Sequence, residues 1–240
     1  IASRRCAVLA QLTAKTNQPL LVVTTGSALV QRTPPRSHMA KASLVATTGR
    51  DLPLAEAQAY LATNGYVRTA TVREAGEYAI RGGIVDIFPA GSAEPVRLDF
   101  FGDTLDTARY FDAETQRSTA GVTAVVLAPV SEIDFSDDAL SLFRRNYIEA
   151  FGPPGGDPMY ESARERIRRQ GLEHWLPLFY DKLETLFDYA GPDALFGMDS
   201  AALDAGAERI ELAAEYADTR RRSAASGASA RILPPDMLYL

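Results

Sequence analysis

Apolar residues change their spacing several times along the chain, and each change predicts a change of element. Val8, Leu9 and Leu12 recur at helical intervals and predict a helix over residues 3–15. Leu20 to Val23 is a continuous apolar run, the mark of a short buried strand. Thr24 to Gln31 predicts a turn into a short helix, ended by Pro34 and Pro35. Strand followed by helix is one βα unit of a parallel sheet. A lone unit makes no sheet, so sequence preceding Ile1 is expected to complete it.

From residue 41 the period falls to two. Strands are predicted at 43–48, 66–72, 77–80, 83–88, 96–101, 104–111 and 122–127, with a helix over 53–63 that Pro53 suits at its first turn. Phe101-Gly102-Asp103-Thr104 reads as a two-residue hairpin turn, with Gly102 supplying a positive φ. Pro89 to Ser92 is a second turn. The stretch predicts a mostly antiparallel α+β module with one helix.

Beyond residue 130 the helical spacing returns. Ser136 can cap a helix whose first turn holds Asp137 and Asp138 and whose apolar stripe is Leu140, Phe143, Tyr147 and Phe151. Phe151 to Gly156 is a break. Asp157-Pro158 opens a second helix, predicted to end near Gly171, and a long helix is predicted from Asp199 or Ser200 to about Arg222. Ala194 to Met198 reads as a strand, and the small polar stretch Ser223 to Ala230 as mobile.

Composition narrows the function classes. Net charge is −6, and it is unevenly spread: residues 1–39 carry five basic side chains and no acid, whereas residues 131–240 carry twelve basic and twenty acidic. An acidic body is a poor non-specific ligand for DNA phosphates. A single cysteine, Cys6, excludes an internal disulfide and a thiolate zinc cluster and fits a reducing cytosol, so the expected location is cytoplasmic. No apolar run is long enough to span a bilayer, so no membrane is expected as a partner. Arginine outnumbers lysine 22 to three, which fits either a GC-rich genome or a use of planar, bidentate recognition.

Catalytic chemistry finds little support. Neither Lys15 nor Lys41 follows a glycine-rich loop, so the phosphate-binding loop of an ATPase is absent. Asp99, Asp103 and Asp106 read as a solvated hairpin rather than a metal site. His38 and His174 have no ligand-spaced partner. Arg164, Arg166, Arg168 and Arg169 read as a solvated, salt-bridged helix face. Arg68 and Arg81 differ in their neighbours: Arg68 follows Tyr66-Val67, and Arg81 precedes Gly82-Gly83, where another backbone can approach closely. On a small sheet these side chains are expected to project from one face beside Tyr78 and Phe88, and arginines among aromatics are the side chains enriched at interface hot spots.

Three stretches carry a family resemblance. Gly76-Glu77-Tyr78-Ala79-Ile80-Arg81-Gly82-Gly83-Ile84-Val85-Asp86-Ile87-Phe88-Pro89, Val96 to Asp103 and Phe111 to Ser118 resemble domain 2 of the bacterial transcription-repair-coupling factors (the Mfd family), a module shared with the excinuclease protein UvrB. Glu173-His174-Trp175-Leu176-Pro177-Leu178-Phe179 is similar to a coupling-factor segment beyond that module. The resemblance implies an α+β module inserted between parts of an α/β, UvrB-like domain 1. Residues 1–39 would be the C-terminal part of domain 1a, 40–130 domain 2 and 131–240 domain 1b.

It also implies a role: domain 2 would recruit UvrA to RNA polymerase stalled at a DNA lesion. Arg68 and Arg81 carry over as UvrA-binding arginines. Ala79 stands where UvrB has a further arginine, which implies a lighter contact, and Phe88 is an apolar neighbour of the patch. No cofactor is implied for this stretch; ATP and Mg belong to the family's motor domains. RNA polymerase and double-stranded DNA would be bound by other parts of the parent, and its C-terminal domain would mask the UvrA surface. The alternatives are a UvrB fragment or a direct DNA-binding module.

Overall fold

The computed structural model describes residues 2–14, 19–225 and 231–240. In chain order the described helices are α1 (Ala2–Thr13), α2 (Gly26–Leu29), α3 (Arg36–Lys41), α4 (Leu54–Thr63), α5 (Asp137–Phe151), α6 (Pro158–Arg164), α7 (Leu186–Ala190) and α8 (Ser200–Ala225). The strands are β1 (Leu44–Thr47), β2 (Arg50–Asp51), β3 (Val67–Arg68), β4 (Glu77–Arg81), β5 (Ile84–Ile87), β6 (Val96–Phe101), β7 (Thr104–Phe111), β8 (Ser118–Gly121) and β9 (Ala124–Leu127). Two compact units result, one of residues 1–14 with 37–134, the other of 15–36 with 135–240. The stretch 1–39 is thus shared between them.

The first unit is α+β and mostly antiparallel. Its main sheet runs β2-β7-β6-β5-β4-β3, with β8 also paired to β7, and β1 pairs β9 in a separate ladder. Among the described strands only β3 and β4 run parallel. Strand alternation sends Tyr78, Val85, Ile87, Val96, Leu98 and Leu105 to one face, where they pack with Ala57 and Leu61 of α4. Leu61, Ile87, Leu98 and Leu105 are fully buried, each contributing about 1.5–3 kcal/mol. Two phenols stitch the ladder ends to this core: the Tyr60 hydroxyl donates to the carbonyls of Ala42 (2.9 Å) and Leu127 (2.7 Å), and that of Tyr66 to Ala128 (2.8 Å). The hairpin at Gly102 forms as expected, with Phe101 opposite Thr104 and φ +63° at Gly102.

In the second unit the Ser136 hydroxyl caps α5 by accepting from the Ala139 amide. Phe143 is fully buried and stacks 4.6 Å from Phe179 and 5.5 Å from Tyr160. Gly26 and Gly206 let α2 and α8 approach: a Cβ on Gly26 would lie 1.8 Å from the Ala202 carbonyl oxygen.

Several expected elements take another form. Leu20–Val23 is irregular rather than a strand, with Leu21 and Val23 each 86% exposed, because no described strand pairs its backbone. Ala194 to Met198 is likewise irregular. The second helix ends at Arg164 rather than near Gly171. Arg166 turns left-handed at φ +59°, and a 3-10 turn, Leu172–Phe179, follows with Pro177 inside it. The basic residues beyond Arg164 therefore form no helix face. Arg166 instead pairs with Asp137, and Arg168 lies 4.7 Å over the Phe135 ring. The strand expected over 66–72 shortens to β3, and β8 adds a strand the small residues Ser118 to Gly121 did not advertise. The expected mobile stretch at Ser223 to Ala230 falls largely outside the described residues; α8 continues to Ala225.

Candidate protein-docking site

Ladder register decides which side chains share a surface. Ala79 stands opposite Asp86, Asp86 opposite Arg97 and Arg97 opposite Arg109, a continuous row across four strands. Paired residues face the same way, so this row lies on the face away from α4. Val72, Ala79 and Phe111 form a small buried cluster there, with half-buried Phe88 against it. Arg81, two residues beyond Ala79 on β4, belongs to the same face.

Arg81 is held at one edge of that face. Its side chain is 53% exposed; Nη2 donates to the Ala70 carbonyl at 3.0 Å and Nη1 stands 3.9 Å from Asp86 Oδ2. The chain then reverses at Gly82, where φ is +61°. A Cβ on Gly83 would lie 2.8 Å from the Phe100 carbonyl oxygen. The close backbone approach read from the two glycines is thus made within the sheet.

The loop supplying Ala70 is fixed from two sides. The Glu77 carboxylate accepts from the amides of Arg73 (2.8 Å) and Glu74 (3.0 Å). Gln116 Nε2 donates to the Val72 carbonyl at 3.0 Å. Gln116 lies in a turn organised by Asp112, whose Oδ1 accepts from both the amide and the hydroxyl of Thr115, each at 2.7 Å. Those hydrogen bonds hold the Asp112 carboxyl below the usual carboxylate range. The sequence stretches Gly76–Pro89 and Phe111–Ser118 meet at this loop.

Two expectations change. Tyr78 and Phe88 do not share a face: Tyr78 is buried against α4, and Phe88 packs on the other side. Arg68 stands opposite Tyr78 in register, three residues short of Arg81, so it belongs to the other side of the ladder. It lies on the edge strand, exposed, with no hydrogen bond or ion pair to a described residue. Ala79 is itself only 3% exposed, so Phe88 and Arg81 present the surface there.

The sequence reading missed the strongest polar contact on this face. Asp86 is buried and accepts two hydrogen bonds from Arg97, Nε to Oδ1 at 2.7 Å and Nη2 to Oδ2 at 3.0 Å. The Asp86 hydrogen bonds raise the already high pKa of the Arg97 guanidinium, which also lies 4.9 Å over the Phe111 ring. An acid flanked by Val85 and Ile87 in an apolar strand was the available signal. No group of three or more potential metal ligands occurs among the described residues, and Asp99, Asp103 and Asp106 are exposed.

The UvrB interaction domain family matches residues 44–133, from the first residue of β1 to beyond the end of β9. The chain is 36% identical over 198 residues to a transcription-repair-coupling factor of Haemophilus influenzae, covering 82% of this chain. It is 34% identical over 245 residues to that of Escherichia coli, covering all of it, and 33% identical over 190 residues to that of Rickettsia bellii, covering 79%. Over most of its length the chain is related to the transcription-repair-coupling factors, and its residues 44–133 match the UvrB interaction domain family. It spans 17–21% of the length of these coupling factors. The family match takes in the whole Ala79–Arg109 row, the loop under Arg81 and the edge strand carrying Arg68. No described helix is long and apolar enough to cross a membrane.

Proposed function

We propose that this stretch of a coupling factor is a docking module that recruits UvrA to RNA polymerase stalled at a lesion, and that it performs no catalysis itself. The observation that carries the reading is the UvrB interaction domain match over the sheet that displays Arg81. Arg81 keeps unused N–H donors and half its surface while Ala70 and Asp86 hold it in place, so a partner carboxylate meets a guanidinium that is already oriented. Phe88 adds an apolar neighbour, and Arg68 reaches a partner from the sheet edge. In the parent, residues 40–130 would be domain 2, between 1–39 of domain 1a and 131–240 of domain 1b. A motor using ATP and Mg, the polymerase and duplex DNA contacts, and an intramolecular mask over this surface would lie elsewhere in a cytoplasmic protein.

Titration of purified UvrA with this chain tests the reading. Micromolar or tighter binding is expected, and Arg81→Ala should weaken it at least about tenfold, since a desolvated interfacial arginine is worth on the order of 2–4 kcal/mol. Equal affinity of the variant and the parent chain, both folded by circular dichroism, would remove Arg81 from the interface. Absence of binding by the folded parent chain would remove the docking reading.

A further inference from the structure

The second unit contains a cavity that UvrA docking leaves unused. It encloses about 340 Å³ between the 3-10 turn at Leu172–Phe179, one face of α8 and the C-terminal residues from Arg231. Its polar lining is one-sided. Arg209, Arg220, Arg231 and His174 contribute to it, and no carboxylate does, in a chain whose net charge is −6.

The helix explains the segregation. Arg209, Ala213, Tyr216 and Arg220 recur every three or four residues and so share the cavity face of α8, with Ala217 beside them. The acids of the same helix, Asp204, Glu208, Glu211, Glu215 and Asp218, fall on the opposite side. Neither Arg209 nor Arg220 has an ion pair within reach among the described residues. Arg209 donates one hydrogen bond to the Tyr239 hydroxyl (2.8 Å) and lies 5.2 Å over that ring, while Arg220 lies 5.6 Å over the ring of Tyr216. A guanidinium has five N–H donors, so most of theirs are spare.

Arg231 differs. It donates to the carbonyls of Pro153 (2.9 Å) and Pro154 (3.1 Å) and stands 3.6 Å from Asp157, so it is structural. An adjoining hollow shares His174, Trp175, Tyr216, Arg220 and Arg231 and has two carboxylates, but both are committed. Asp157 accepts from the Tyr147 hydroxyl at 2.7 Å, and Glu173 from the Gly171 amide at 2.9 Å.

The walls between the arginines are the flat rings of Trp175 and Tyr216 and the apolar side chain of Leu233. Trp175 is fixed by its Nε1 donating to the Arg231 carbonyl at 3.0 Å. Burial lowers the His174 pKa, and the charges of Arg220 and Arg209 lower it further against the opposing effect of Glu173. The imidazole, 6.2 Å from the Tyr216 ring, therefore already feels both cations.

We propose that this cavity binds a small phosphomonoester with a flat aromatic body, the phosphate against Arg220 and His174 and the body between Trp175 and Tyr216 toward Arg209. Phosphate suits the place because it accepts several guanidinium and imidazole donors at once. The volume is at the small-ligand end of binding pockets, which run from about 300 to 1,000 Å³. The inference rests on the second unit alone and is independent of UvrA docking.

The test uses the whole chain with 13C-labelled histidine and 1-naphthyl phosphate as the probe. The chain has two histidines, and His38 lies in the other unit, so it serves as the internal control. The expected result is a saturable shift of the His174 resonance with His38 unmoved, at a Kd of about 0.05–1 mM. The His174 pKa should rise on saturation, because the bound dianion offsets the arginine charges. Arg220→Gln should weaken binding at least about fivefold and Arg209→Gln about twofold. Arg144→Gln, an exposed change of equal charge on α5, should leave it unchanged. 1-Naphthol and inorganic phosphate, each carrying half of the probe, should bind more weakly than the whole. No saturable His174 shift, binding by Arg220→Gln equal to the parent chain, or naphthol binding as tightly as its phosphate would overturn the proposal.

Discussion

Removing Arg97 should destabilise the first unit more than removing its partner, because the two sides of the ion pair are unequally buried. The Asp86 side chain is 3% exposed and that of Arg97 24%. Arg97→Met keeps the aliphatic stem but withdraws both charge-assisted hydrogen bonds from a buried carboxylate. Breaking a buried pair this way costs about 3–5 kcal/mol. Arg81, 3.9 Å away and half-exposed, can swing toward Asp86 and recover part, which lowers the expectation to about 2–4 kcal/mol. Asp86→Asn leaves Arg97 charged but near water and able to keep one acceptor, and should cost about 1–2 kcal/mol. Amide exchange in peptides spanning β4 to β6, followed through a urea series, reads the first unit directly. Trp175, the single tryptophan, lies in the second unit, and its fluorescence transition should stay put in both variants. An Arg97→Met loss below about 1 kcal/mol, or an Asp86→Asn loss as large as that of Arg97→Met, would refute the reasoning.

Two further outcomes are expected in the same unit. Gly83→Ala should lower stability by about 1–3 kcal/mol in the same exchange assay, since its Cβ meets the Phe100 carbonyl at 2.8 Å and neither is a flexible side-chain end. Burial raises the Glu132 pKa, opposed by Arg5 at 3.1 Å. The folded chain then holds this proton more tightly than the unfolded chain, so the contribution of Glu132 falls as pH rises from the ordinary value of 4.5 through the raised one. Glu132→Gln should therefore gain stability relative to the parent chain across that rise in urea titrations; a pH-independent difference would exclude the effect.

The hairpins of the first unit were legible because alternation and glycine act locally. Val96 to Phe101 alternates cleanly, and Gly102 joins it to Thr104 to Phe111 at a positive φ. What stayed hidden depends on partners elsewhere in the chain. β8 is four exposed residues that become a strand only because β7 offers an edge. Leu20 to Val23 has strand composition, but composition makes no ladder without a neighbouring strand. The arginines from Arg164 to Arg169 have helical spacing, yet Arg166 leaves the helix and pairs with Asp137.

The candidate docking face was half legible for a related reason. Gly82-Gly83 marked the turn beside Arg81, but a buried acid declares its partner only once register is known. Val85 and Ile87 must face α4, so Asp86 must face the other way, and its ladder neighbour across β6 is Arg97. Arg81 closes the same arrangement from the far side. A substitution at Arg81 therefore perturbs both a contact surface and a buried carboxylate, and a loss of partner affinity there is mixed evidence. Arg68 separates the two. It has no described partner, so Arg68→Ala should leave stability within about 0.5 kcal/mol, the usual range for a surface change. A loss of UvrA affinity in Arg68→Ala with an unchanged urea transition would assign the arginine to direct contact. Unchanged affinity would confine docking to the Arg81 and Phe88 side of the sheet.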